Sequence, residues 1–207
     1  MGKDMASTDA PSGFQVYGEC LRERVYAVVT APTIGFYVGD VVMHGGSAVA
    51  TKFGTLPYVE DGAVVDGVAN AEKLLGAVTA CYDENMDPCQ YIAVAEVGDG
   101  TVAGFILVAD HPNQLFIAQE DGATNAIDLA EVGQNADIVS VTNSVGSNYT
   151  GISTQEIDSD TASANAELDV KLHFPHPDDT VANDTDCHAR WIVSINAHFY
   201  SGENAGL

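Results

Sequence analysis

The chain has 207 residues, of which 30 are acidic and 7 basic, a formal net charge of -23, and 46% of it is hydrophobic. Charge of one sign on this scale repels polyphosphate and so excludes bare nucleic acid and an anionic membrane leaflet as partners of the general surface. The apolar fraction excludes an acidic disordered tail, which lacks the burial needed to offset chain entropy.

Twenty glycines, abundant Val and Ala, scarce Lys and an excess of Asp over Glu favour strands and turns over helix surfaces. The expectation is a mainly β protein, an antiparallel β-sandwich or β-barrel with long loops and little helix. Residues 1–13 read as a flexible N-terminal arm, and 1–12 hold no apolar stretch that would serve as the core of a signal peptide.

Residues 17–30 begin charged, with Glu19, Arg22, Glu23 and Arg24, and turn β-branched before the break at Ala31-Pro32, which reads as a strand. Lys3, Arg22 and Arg24, three of the seven basic residues, lie within the first 30 positions. This end is therefore the least acidic, and Arg22 and Arg24 are the expected docking residues for an acidic partner. The pieces 39–42 and 61–67, short apolar runs closed by Gly and Asp, have the rhythm of hairpins. Residues 68–77 offer a helical face through Val68, Leu74 and Leu75, weakened by Gly76; the alternative is a run leading into a strand. Residues 14–90 are thus expected as an N-terminal β region, with a separate small subdomain as an option.

Residues 91–207 are expected as a β-meander or barrel core with long loops. Residues 91–97, the turn Gly98-Asp99-Gly100 and residues 101–109 predict a hairpin, and Leu115 to Gln119 the next strand of a meander. The window 101–109 is the most apolar in the chain and is far short of the roughly 20 residues that span a bilayer. Residues 123–141 fit neither period and predict a short helix or an irregular crossing. Residues 143–166, rich in Ser, Thr, Asn and Gly, predict a long surface loop or extended edge segment. Two alternating stretches, 168–174 and 191–199, predict half-buried strands around an acidic loop at 175–186.

The four cysteines, Cys20, Cys81, Cys89 and Cys187, lack zinc-finger spacing and are expected as small buried thiols, although Cys81 and Cys89 flank a turn across which they could pair. His176-Pro177-Asp178-Asp179 spells the metal-binding signature of zinc-dependent sugar N-deacetylases, with His188 and His198 as further ligand candidates. Its place near the C-terminal end, in β-text, is wrong for that family, and a turn between two strands is the expectation. Asp178, Asp179, Asp184 and Asp186 lack the ordered ladder of a calcium loop and read as a solvated acidic loop. No catalytic, cofactor-binding or metal residue is therefore assigned.

The phrase from Gly104-Phe105-Ile106-Leu107-Val108-Ala109-Asp110-His111-Pro112-Asn113-Gln114 through Leu115-Phe116-Ile117-Ala118-Gln119-Glu120-Asp121-Gly122 resembles the strand, Asp-x-Pro-x turn, Phe-x-x-Gln and acidic-Gly sequence of small tailed-phage virion proteins. Val132-Gly133-Gln134-Asn135-Ala136-Asp137 and the closing residues 190–198 are similar to later parts of the same proteins, and the resemblance covers roughly residues 91–200. It implies a capsid decoration (cement) protein: a trimer on the outer face of the major capsid protein shell, made in the host cytoplasm, with no active site and no cofactor. A tail or head-tail connector component is the alternative, and a metal-dependent hydrolase using His176-Pro177-Asp178-Asp179 is the remaining one. The charge is densest at 83–87 and 178–186 and thin at 17–52, which sets a comparatively neutral end against an acidic remainder.

Overall fold

The computed structural model describes residues 8–29, 35–61, 74–93, 102–122, 125–139, 146–179, 188–196 and 198–201. Its thirteen strands are β1 (Gln15–Val16), β2 (Glu23–Val29), β3 (Phe36–Tyr37), β4 (Val41–Thr51), β5 (Gly54–Asp61), β6 (Leu74–Tyr82), β7 (Pro88–Cys89), β8 (Tyr91–Ile92), β9 (Val102–Ala109), β10 (Leu115–Gln119), β11 (Asn135–Ala136), β12 (Val170–Pro175) and β13 (Arg190–Ile195). The described residues form no α-helix, only single 3-10 turns at Leu129–Glu131 and Ser159–Thr161. The protein is mainly β, with the sandwich-like and barrel-like character its composition implied.

Five strands close on themselves. The order β4-β5-β2-β9-β6 returns to β4, because β4 pairs with both β5 and β6. Every pairing in the ring is antiparallel except β2 with β5. Closure removes the exposed strand edges of an open sheet. One buried cluster draws on all five strands: Tyr26 and Val28 of β2, Val42 of β4, Val59 of β5, Leu75, Val78 and Cys81 of β6, and Ala103, Ile106 and Val108 of β9. This cluster fills the barrel interior.

The second body is an antiparallel sheet ordered β1-β10-β13-β12-β11. Its apolar face, with Phe116, Leu172, Trp191 and Val193, packs with Val41, Leu74, Ala77 and Ala109 on the outer wall of the barrel. Strands β4, β6 and β9 therefore separate two cores, and alternate side chains enter each: Val41 against Val42, Leu74 against Leu75, Ala77 against Val78. The barrel is completed by β9 and the sheet by β1, so each body takes one strand from the other side of residue 90.

Two expectations are corrected by this arrangement and a third is narrowed. Leu74 to Ala77 belong to a strand, not a helix: with Leu74, Leu75, Gly76, Ala77 and Val78 all buried, the run is apolar on both faces and has no period-2 signal. The strands around residue 110 are not a meander, because β9 pairs with β2 and β6 in the barrel whereas β10 pairs with β1 and β13 in the sheet. Tyr91 and Ile92 pair with β3, and the remainder of that predicted hairpin, including Gly98-Asp99-Gly100, lies outside the described residues. Of the loop or extended edge segment expected at 143–166, residues 148–150 form an exposed turn and 151–159 an extended strap in which Ser153, Gln155, Ile157 and Ser159 are buried. The strap's Gln155 side chain accepts a hydrogen bond from Val41 N (2.7 Å), and Ile157 N donates to Gln119 O (2.9 Å), which ties it to barrel and sheet together. Residues 1–7 of the arm, 62–67 of the second hairpin, Val68, and Asp184, Asp186 and Cys187 of the acidic loop also lie outside the described residues.

Candidate functional site

Three groups of polar side chains have the density of functional sites. The first closes one end of the barrel. Alternation along β2 turns Arg22, Arg24 and Tyr26 to one side, and Asp110, immediately after β9, comes opposite them with its side chain 0% exposed. Arg22 Nε donates to Asp110 Oδ1 and Arg24 Nε to Oδ2, both at 2.6 Å, and the Tyr26 hydroxyl donates to Oδ2 at 2.5 Å. The Tyr200 ring covers both guanidinium groups, 5.2 Å from Arg22 Cζ and 4.4 Å from Arg24 Cζ, a cation–π arrangement. His44 stacks on Phe199 with ring centroids 4.3 Å apart.

Burial first, then the hydrogen bonds to Asp110 and Tyr200, pushes the Tyr26 phenol far above its ordinary range, so it stays protonated as a donor. Burial likewise lowers His198 to about 4, against the opposing pull of Asp110, leaving a neutral imidazole at pH 7. The two sequence-predicted docking residues therefore hold a buried carboxylate with their inner donors, and their side chains remain 35% and 41% exposed at the rim. The arrangement plugs one end of the barrel, with both Asp110 oxygens engaged by donors of the chain itself. Asp110, its organising residue, was passed over in the sequence as part of a turn; the Arg-x-Arg-x-Tyr alternation on β2 was the signal that a buried anion had to face that strand.

The second group is the deacetylase-like tetrapeptide. Asp179 receives Arg190 bidentately, Nε to Oδ2 at 2.9 Å and Nη2 to Oδ1 at 2.8 Å, and also accepts from Arg190 N at 2.8 Å. Burial opposes the charge on Asp179, but these hydrogen bonds and the guanidinium outweigh it and hold the carboxyl below its usual range. His176 Nδ1 accepts from Asp178 N at 3.3 Å and lies 3.4 Å from Arg190 Nη2. A guanidinium thus occupies the position between His176 and Asp179 that a metal would need, and it repels a cation. The structure brings neither His188 nor His198 to this turn: His188 joins the third group and His198 the barrel plug.

The third group was not assembled by sequence reasoning. Asp9, Glu156 and His188 each present one ligating atom, all within 4.8 Å of one another. Burial, and then the negative charges of Asp9 and Asp121, push the Glu156 carboxyl up to about 7, and its Oε1 is buried without a hydrogen-bond partner. No spacing rule links three residues so far apart in the chain, which is why the sequence was silent.

Cys81 and Cys89 face each other in register across β6 and β7 as free thiols, with burial pushing Cys81 up to about 12, and Cys20 is free and exposed. Among the exposed apolar side chains, Tyr149 stands 94% exposed on a tight turn and Leu129 64% exposed on the first 3-10 turn. No protein-family model, no curated protein and no solved structure matches the chain.

Proposed function

We propose that this protein is a structural virion component, a capsid decoration protein that binds the outer surface of the major capsid shell as a homo-oligomer, with a trimer as the expected form. The observation that carries the reading is how the polar chemistry is used. All three arginines, Arg22, Arg24 and Arg190, make ion pairs within the chain that hold its own barrel and turn. Apolar side chains such as Tyr149, Leu129 and Leu21, by contrast, stand outward on turns and loops, where an aromatic or aliphatic anchor suits a protein partner. A barrel without free edges, packed on a second sheet, gives those anchors a rigid base. The net charge of -23 favours the side of a shell away from packaged nucleic acid. The resemblance of residues 91–200 to tailed-phage virion proteins points the same way.

Docking is assigned to the less acidic end, where Leu21 and the rims of Arg22 and Arg24 lie together. Reversing either arginine would also set a second carboxylate against Asp110, so Leu21→Asp is the informative variant there, with Tyr149→Asp on the turn at the strap's start. Co-expression with a tailed-phage major capsid protein, followed by sedimentation of assembled shells, tests the reading. Cosedimentation, reduced about tenfold or more by at least one of these variants, is expected. Protein left at the top of the gradient contradicts it, and binding to tail tubes in place of shells selects the connector alternative. Hydrolysis of an N-acetylated sugar that is lost in His176→Ala would overturn the structural reading altogether.

A further inference from the structure

We propose that Asp9, Glu156 and His188 form a binding site for one divalent transition-metal ion of the zinc class, which fastens the N-terminal arm to the body of the protein. The donor set is one imidazole nitrogen and two carboxylate oxygens, a combination that suits Zn²⁺. Calcium, which takes oxygen ligands in larger number, fits it poorly. The three atoms already lie within 4.8 Å. A tetrahedral site with bonds of about 2.0 Å has edges of roughly 3.3 Å, so the three atoms would draw closer around a bound ion.

The backbone around all three ligands is fixed by one stretch of chain. The buried Gln119 side chain brackets Asp9: its Nε2 donates to Thr8 O at 2.9 Å and its Oε1 accepts from Ala10 N at 3.2 Å. The same Nε2 donates to His188 O at 2.8 Å. Glu120 accepts from Ala189 N through Oε1 (3.2 Å) and donates its own N–H to Ala189 O (3.0 Å), which fixes the residue after the histidine. Ile157, next to Glu156, bonds Gln119 O and the Asp121 N–H at 2.9 and 3.0 Å.

Gly122 completes the cradle. A Cβ at that position would meet the His188 ring at 2.5 Å, and its φ of +63° is one that glycine tolerates, so the ring has room only because no side chain is there. A preformed ligand set of this kind lowers the ordering cost of binding. The ion would also give a partner to the buried Oε1 of Glu156, which has none in the structure.

The site is tested on the full-length protein, stripped with a chelator and titrated with Zn²⁺ by calorimetry. One equivalent is expected to bind, with Asp9→Asn and His188→Ala each weakening affinity by about tenfold or more and His176→Ala leaving it unchanged. Asp9 is exposed on the arm, so Asp9→Asn should leave the melting temperature of the stripped protein unaltered and report on binding even if His188→Ala fails to fold. Absence of uptake, uptake indifferent to Asp9→Asn, or uptake abolished by His176→Ala would overturn the assignment. These readouts do not involve a capsid, so they stand or fall separately from the decoration role.

Discussion

At the scale of the residue, Asp110 has the largest electrostatic stake. A carboxylate with no exposure is costly to bury, and it is tolerated here because two guanidinium groups and a phenol converge on its two oxygens. Removing the charge leaves Arg22 and Arg24 without their shared partner. Asp110→Asn is expected to lower stability by about 3 kcal/mol in urea unfolding, and a loss below about 0.5 kcal/mol would contradict this account of the plug.

His198 supplies the pH dependence. Its folded-state pKa is lowered to about 4 by burial, below the ordinary histidine value, so the unfolded chain takes up the proton first as pH falls. Its contribution is fully present above about pH 6.5 and is lost as pH falls toward 4, by about 3 kcal/mol. His198→Gln should flatten the stability–pH curve of the chain in that window relative to the parent; parallel curves would contradict the assignment.

At the scale of the element, what the sequence disclosed depended on how many faces a strand buries. Leu115–Gln119 was read with its observed bounds, and β12 and β13 were found by their alternation. Strand β6 has one core on each side and lost its period; its apolar run imitated a helix face until Leu74 and Leu75 were seen to enter different cores. The strap at 151–159 was left open between a loop and an extended edge segment, since Ile157 is the one large apolar residue among its buried positions and Ser153, Gln155 and Ser159 are polar.

The candidate sites followed the same logic. Arg22 and Arg24 stood out as charges, but their carboxylate partner is distant in sequence. His176-Pro177-Asp178-Asp179 stood out by its spelling, yet the residue that decides its role is Arg190, on the next strand. Strand β6 also makes a sharp prediction. A Cβ at Gly76 would lie 2.1 Å from Ala109 O on the neighbouring strand β9, a contact that forces the wall between the two cores apart. Gly76→Ala is expected to cost about 2–3 kcal/mol, measured as a lowered unfolding midpoint, and an unchanged midpoint would contradict the packing described.

At the scale of the whole molecule, a five-stranded sheet packs on one wall of a closed barrel. The barrel end is plugged by Asp110 and its partners, the deacetylase-like turn is clamped by Arg190, and the arm is held against the sheet through Gln119. The first two constellations serve the architecture of the chain itself, and apolar side chains such as Tyr149 and Leu21 stand outward from it. The most direct measurement is the occupancy of assembled capsid shells after sedimentation with increasing amounts of the full-length protein. Decoration predicts saturable occupancy in a fixed ratio to the major capsid protein, lowered by Tyr149→Asp or Leu21→Asp; shells that remain bare at saturating protein would contradict it.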